Sequence, residues 1–242
     1  MEAILWSWAV SAAVLVTLAV VLGSKVALPP GNVKPKPLWL GILIDNRGRF
    51  SLNRLQLIVW TLVVISLIAG VFFGRLIEGV GEPLEFTIPG NVLGLLGISV
   101  GSAVTVATIK SNKAATAAAP PVPPPAPEEA VAAAPNGRAK TTLATYQATG
   151  RPPFLGQIFM AEEGAYADDV IDASKFQGFA ITIVLLVAYV AMAISTVSDA
   201  TSAAHVTALP DLKGTFLVLL GISYAGYAGG KLPTPPGTPR IP

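Results

Sequence analysis

Residues that commonly carry catalysis or bind metal ions are scarce in this sequence. The 242-residue chain contains one histidine, His205, and no cysteine, so disulfides, thiolate chemistry and cysteine-bound metal centres are excluded. His205 has no second histidine near it in the sequence, which favours a solvated loop residue over a metal ligand or base. Phosphate-binding loops, nucleophile elbows and HExxH motifs are also missing.

Acidic residues cluster between positions 162 and 172, where they could hold a divalent cation. They lack the Asp-x-Asp-x-Asp-Gly spacing of a calcium loop, so a solvated turn is the better interpretation. We therefore predict no catalytic residue, no cofactor and no metal, and we predict that the protein is not an enzyme. The cluster consists of Glu162, Glu163, Asp168, Asp169 and Asp172.

Basic residues gather just before the second apolar stretch, with an aromatic residue and a glutamine among them. Such a set can bind anionic lipid. A role in fixing the membrane topology would explain these basic residues equally well. A net charge of +2 gives no reason to expect nucleic acid. The candidate contacts with a protein partner or lipid are Arg47, Arg49, Phe50, Arg54 and Gln56.

The elements that must position these residues are apolar helices, because only 12% of the chain is charged and 52% is hydrophobic. Five windows contain no charged residue, and each approaches the ~20 residues needed to cross a bilayer. They predict helices at about 4–24, 55–74, 91–109, 176–197 and 214–230. We therefore expect an all-α membrane protein with five transmembrane helices.

The distribution of Lys and Arg predicts the orientation. All but Arg75 and Lys213 of the 16 basic residues lie on one side if the N-terminus is outside and the C-terminus is cytoplasmic. The first helix could instead be a cleaved signal peptide, but Glu2 precedes it and Lys25 follows it, the reverse of the usual arrangement. We favour a retained anchor.

The second to fifth helices form two similar halves. The pentapeptide LLGIS occurs at 95–99 and at 219–223, and Gln56 to Pro89 is the same distance as Gln177 to Pro210. This order of landmarks predicts two tandem-repeat helical hairpins in one orientation. The predicted segments are an N-terminal anchor (1–36), repeat 1 (37–110), an Ala/Pro-rich cytoplasmic linker tending to disorder (111–151), repeat 2 (152–231) and a Pro-rich tail (232–242).

Each repeat is expected to open with a short cytoplasmic ribbon resembling a β-hairpin. In repeat 1 the run WLGILI has β-forming character, and a turn follows at 45–48. Ser51 or Asn53, and Asp172 or Ser174 in the second copy, could cap the helix that follows.

Small residues spaced by four predict a helix-packing stripe in each repeat. We expect the third and fifth helices to meet there, or to meet a neighbouring subunit in a homo-oligomer. The stripes consist of Gly97, Gly101 and Thr105 in repeat 1 and of Gly221, Ala225 and Gly229 in repeat 2.

The stretch LIDNRGRFSLNRLQLIVWTLVV, followed by PGNVLGLLGIS and a later GISYAGYAGGK, resembles uncharacterised bacterial inner-membrane proteins with a GRxSLxRxQxxxWT juxtamembrane motif. The likeness covers roughly 37–110 and 175–231, and the second copy lacks the Trp. It implies a multi-pass protein of the bacterial inner membrane and brings no established activity.

The absence of reactive groups favours a non-enzymatic scaffold or anchor for a protein assembly. The alternative is a channel or facilitator for a small neutral solute, with a path lined by hydroxyl groups. The candidate lining residues are Ser99, Ser102, Ser223 and Tyr227.

Overall fold

Five α-helices make up most of the computed structural model, which describes residues 2–25, 38–45, 48–118, 153–162 and 169–229. They are α1 (Glu2–Ser24), α2 (Leu52–Ile77), α3 (Gly90–Ala118), α4 (Ala173–Asp199) and α5 (Gly214–Gly229). The first four are long and apolar enough to cross a membrane, and α5 is a shorter apolar helix of 16 residues. The prediction of an all-helical chain with several membrane-spanning helices is confirmed.

The helices extend beyond the charge-free windows that predicted them. Arg54, Arg75, Lys110 and Lys175 all lie inside helices. Hydropathy marks the length of chain that hydrocarbon can surround, whereas a helix continues as long as its backbone hydrogen bonds do.

Helix α1 packs closely against α2 through two glycines that the sequence analysis overlooked. A Cβ added at Gly70 would lie 2.6 Å from the Cβ of Trp8, and one added at Gly74 would lie 2.8 Å from the Cα of Ile4. Gly70 and Gly74 form a GxxxG pair, the spacing that lets two membrane helices approach closely. The Trp8 indole also donates to Ser66 Oγ at 3.0 Å.

Helices α2 and α3, and likewise α4 and α5, form contacting hairpins, and the hairpins meet through α2 with α4 and α3 with α5. The core between them includes Trp60 and Tyr189, whose rings pack edge to face with centroids 6.2 Å apart. We call the end of the bundle that holds the described residues of the two ribbons, 38–45 with 48–51 and 153–162 with 169–172, the ribbon end, and the opposite end the loop end.

The two connections at the loop end are joined to each other. Thr87 N–H donates to Thr207 O, and Leu209 N–H donates to Thr87 O, at 2.8 and 3.0 Å. The buried Arg75 guanidinium donates to Val206 O of the second connection and to Glu82 O of the first. These bonds hold the hairpins together where they leave the apolar layer.

The first ribbon, residues 38–51, differs from the hairpin that was predicted. Leu38–Leu43 form a 3₁₀ helix where a strand was expected, and Ile44 and Phe50 form a single antiparallel bridge. The β-strand prediction is therefore wrong, and the described residues contain only isolated bridges. The turn prediction is confirmed, because Gly48 N–H donates to Asp45 O at 3.0 Å and Gly48 has a φ of 76°.

The second ribbon, residues 153–172, has the same order of elements. A 3₁₀ helix at Leu155–Ile158 precedes an antiparallel bridge between Met160 and Ile171. Asp172 caps α4 as predicted, since its carboxylate accepts from Ser174 N–H and Lys175 N–H. Ser51 occupies the corresponding position before α2, but its side chain makes no capping bond.

The start of the linker also differs from the prediction. Helix α3 continues through Ala118, so 111–118 are helical, consistent with the helix propensity of alanine before the first proline of that segment. The remainder of the predicted linker, 119–151, lies outside the described residues, as does the tail.

Candidate functional site: a buried ionic cluster at the ribbon end

Glu162 of the second ribbon lies at the centre of a buried cluster of polar groups. Lys110 Nζ lies 2.8 Å from Glu162 Oε2, and Lys175 Nζ lies 2.8 Å from Oε1. The Tyr227 hydroxyl donates to the same Oε1 at 2.9 Å. One carboxylate therefore binds the last third of α3, the start of α4 and the end of α5.

Lys110 connects this carboxylate to the first ribbon. Its Nζ also lies 3.0 Å from Asp45 Oδ2. The side chains of Lys175 and Lys110 are 0% and 4% exposed, and lysine is almost never buried so fully unless it is paired. Both ribbons are thus joined to the helices by charge pairs that are largely buried.

Arg49 fastens the two ribbons directly to each other. It donates through its two terminal nitrogens to Glu162 O at 3.2 Å and to Ala161 O at 3.3 Å. Phe50 N–H donates to Gln157 Oε1, and the Phe50 ring lies in a small core with Ile44 and Ile158. Arg49 and Phe50 are 3% and 2% exposed, so the prediction that they contact a partner or lipid is wrong for this conformation.

Gln56 is also internal rather than available to a partner. Its side-chain nitrogen donates to Gly178 O at 3.0 Å and to Thr182 Oγ1 at 2.7 Å. It joins α2 to α4 within the apolar layer, where an unpaired amide would be costly. The sequence analysis placed it correctly at the start of α2 but on the wrong face.

Arg54 is the one described member of the predicted contact set that is exposed. Arg47 lies outside the described residues. The contact prediction is therefore retained for Arg54, and it stays a prediction for Arg47.

The small-residue stripes do not pack against each other within the chain. Gly97 and Gly101 are exposed, and a Cβ added to either, or to Gly221 or Gly229, would meet no described atom within 4 Å. Thr105 and Ala225 are exposed as well. Helices α3 and α5 instead approach at Gly94, where an added Cβ would lie 2.8 Å from Leu217 Cδ2. The third and fifth helices meet as predicted, but the stripes are not where they meet. Contact of the stripes with a neighbouring subunit stays a prediction.

The acidic residues considered as a cation site have separate surroundings. Glu162 binds lysines, Asp172 caps α4 and Asp169 is exposed, while Glu163 and Asp168 lie outside the described residues. Within the described ranges, no three His, Asp or Glu side chains are grouped so that they could hold a metal ion. His205 lies in the second loop-end connection, with its Nδ1 2.8 Å from Ser202 Oγ.

The cluster's chemistry is mutual neutralisation. Its carboxylate oxygens lie 2.8 to 3.0 Å from lysine ammonium groups, so that the opposite charges offset each other. No protein-family model, curated protein or solved structure matches the chain. The geometry of the site therefore carries the functional argument.

Sequence reasoning noted the members of this cluster without bringing them together. Glu162 was considered as part of an acidic turn and Tyr227 as a possible channel residue, whereas Lys110 and Lys175 counted among the basic residues that predict the orientation. One usable signal was present, because Lys175, at the start of the fourth apolar stretch, follows the acidic segment 162–172. Nothing in the spacing indicated which acid would meet which lysine.

Proposed function

We infer that this protein is a non-enzymatic membrane scaffold or anchor, which presents its two ribbons to a protein assembly as one fixed platform. The observation that carries this proposal is the cluster around Glu162. It fastens both ribbons and the ends of α3, α4 and α5 to one buried point. A fixed surface of this kind suits recognition of a partner.

The energetics of buried charges support this interpretation. Removing a carboxylate and a lysine from water is costly, and apolar residues of similar size often stabilise a fold as well or better. A buried ionic cluster is then best explained by the single geometry that it enforces. Here that geometry is the position of two short ribbons that contain little regular structure of their own.

The second ribbon offers an apolar contact surface. Four of its large apolar side chains are exposed, and such exposure on a folded protein often marks an interaction site. The ribbon surface consists of Phe154, Leu155, Val170 and Ile171, which are between 39% and 68% exposed. We assign the partner contact to this surface, in place of the buried residues that the sequence suggested.

The proposal includes the finer points of topology. Both ribbons are followed by similar helices, and the paired loop-end residues Thr87 and Ala208 each precede a proline by two positions. This order supports a tandem duplication, with both ribbons cytoplasmic, the N-terminus outside and the C-terminus inside. A bacterial inner-membrane location, membership of the GRxSLxRxQxxxWT group and a homo-oligomeric state are parts of the same proposal.

A cross-linking pulldown of the full chain tests the scaffold. The variant L155S/I171S makes the ribbon surface polar, and L84S/I77S makes the same residue changes at exposed positions of the loop end. We expect the first variant to lose its cross-linked protein partners and the second to keep them. If both variants retain the partners of the native chain, the ribbon surface is not the contact site.

A solute channel is the second candidate, and one observation favours it. The hydroxyl of Ser223 is buried without a hydrogen-bond partner in the described part of the bundle, and a water on a hydrated path could supply one. Against it, Ser99, Ser223 and Tyr227 are at least nine-tenths buried, so they line no open path in this conformation. Stopped-flow measurement of glycerol and urea flux into proteoliposomes distinguishes the two functions.

A further inference from the structure

A groove of about 470 Å³ lies between the first ribbon, the start of α2 and residues 100–110 of α3. Its lining divides into two parts. Polar side chains, among them Ser51, Asn53 and Arg54, lie at the ribbon end. Apolar side chains, among them Leu57 and Val104, line the part that extends into the apolar layer.

The polar part holds donors that the protein does not use. Asn53 is 5% exposed, and its side-chain nitrogen is buried with no hydrogen-bond partner among the described residues. A buried amide donor without a partner destabilises the fold, so it indicates a ligand or water that accepts from it. Arg54 is exposed and makes no ion pair within the same part of the chain.

Asp45, the one acidic residue among the described residues that line the groove, should repel a bound anion only weakly. Asp45 lines the groove, but its carboxylate is held 3.0 Å from Lys110 Nζ. The side chains that remain to meet a ligand are therefore the Arg54 guanidinium, the Asn53 amide and the Ser51 hydroxyl. A cation with two neutral hydrogen-bonding groups suits a phosphate.

The apolar part follows one face of α3. Val100, Val104 and Ala107 recur at intervals of three and four, and Val100 and Val104 are 49% and 60% exposed. Seven residues of helix make this strip about 10 Å long. It runs away from the polar end along the helix, as an acyl chain runs away from its headgroup.

We propose that this groove binds one anionic phospholipid, with its phosphate at Ser51, Asn53 and Arg54 and an acyl chain along Val100, Val104 and Ala107. A free phosphate would leave the apolar strip uncovered. An apolar helix of a second copy would cover the strip but leave the Asn53 donor buried without an acceptor. The lipid alone satisfies both parts, and the proposal is independent of the scaffold function.

Native mass spectrometry of the full chain, released from detergent and titrated with phosphatidylglycerol or phosphatidylcholine, tests the site. We expect tighter binding of phosphatidylglycerol. R54Q should weaken that binding about fivefold, which corresponds to the ~1 kcal/mol that one basic residue contributes near anionic lipid. The matched control K213Q removes an exposed positive charge at the loop end and should change nothing.

The apolar strip has its own pair of variants. A107W fills the groove and should abolish retention of phosphatidylglycerol, whereas A188W places the same side chain on an exposed position of α4 and should leave it intact. Arg54, Ala107 and Ala188 are exposed, and thermal unfolding of each variant verifies that the fold is kept.

Four results would overturn the proposal. Equal loss in R54Q and K213Q would mean that binding follows net charge alone. Retention of the lipid by A107W would mean that no acyl chain enters the groove. Competition by glycerol 3-phosphate as strong as that by phosphatidylglycerol would show a free phosphate site, and loss of a dimer in A107W would show that a second copy covers the strip.

Discussion

Glu162 is the residue on which the ribbon end depends, because its carboxylate meets two lysines and a tyrosine hydroxyl. E162Q keeps the shape of the side chain, but it leaves Lys175 facing a neutral group and leaves Lys110 paired with Asp45 alone. Removing one partner of a buried ion pair costs about 3–5 kcal/mol. We expect E162Q to lower the free energy of unfolding in detergent by that amount, while E85Q, at an exposed carboxylate of the loop end, changes it little.

A double variant measures the interaction between Glu162 and Lys175 apart from the other contacts of each residue. K175M removes the fully buried ammonium group that faces Glu162. Because contacting residues are coupled, E162Q/K175M should cost less than the sum of the two single variants. Additive losses would show that Glu162 and Lys175 stabilise the fold independently.

Glu78 makes the loop end sensitive to acid. Its Oε2 accepts from Ala203 N–H at 2.7 Å, and this hydrogen bond lowers the pKa of the carboxyl below its ordinary value of 4.5. A carboxyl with a lowered pKa in the folded state stabilises the fold above the ordinary value, and this stabilisation is lost as the pH falls through the lowered pKa.

The measurement is thermal unfolding of the native chain and of E78Q from pH 7 to pH 3. The native chain should be more stable at neutral pH, and the difference should shrink below pH 4.5. A difference that stays constant with pH would mean that the Glu78 charge does not contribute.

Among the helices, α1 is held against α2 chiefly by close packing at two glycines. Gly70 and Gly74 let the backbone of α1 approach so closely that added methyl groups would collide with Trp8 and Ile4. Each collision should cost about 1–3 kcal/mol, so G70A/G74A should separate α1 from α2. The control G97A/G101A changes a GxxxG pair whose added methyl groups meet no described atom within 4 Å.

Cysteine cross-linking measures this separation cleanly, because the chain has no cysteine of its own. Ala12 and Leu62 line the same crevice between α1 and α2, and a short bismaleimide should join A12C to L62C. The yield should fall in the G70A/G74A background and persist in G97A/G101A. An unchanged yield in both would show that α1 tolerates the extra volume.

For the molecule as a whole, both ends of the bundle are fastened. Charge pairs fasten the ribbon end, and backbone bonds with Arg75 and Glu78 fasten the loop end. Helices in lipid gain no hydrophobic stabilisation from meeting each other. Polar connections at the two interfaces therefore set how the hairpins lie side by side.

The predicted orientation can be tested on the intact molecule. Leu84 is exposed at the loop end and Ile171 at the ribbon end. If the basic residues are cytoplasmic, a membrane-impermeant maleimide should label L84C in intact cells and I171C only after permeabilisation. The reverse pattern would invert the topology and place the ribbons outside.

Several features followed from the sequence alone. Charge-free windows predicted five helices, and the positions Asp45 to Gly48 and Asp172 predicted a turn and a cap that the structure contains. These features are local. Apolar content over ~20 residues and the φ allowed to one glycine do not depend on the rest of the chain.

Only the tertiary structure decided which residues face which. Two GxxxG pairs look alike in sequence, yet Gly70 and Gly74 contact α1 whereas Gly97 and Gly101 lie exposed. Likewise, Lys110 and Glu162 are distant in the chain and meet only when α3 and the second ribbon pack. Hydropathy reports the solvent around a segment, but the partner of a buried charge or of a glycine is set by how the helices are rotated and packed together.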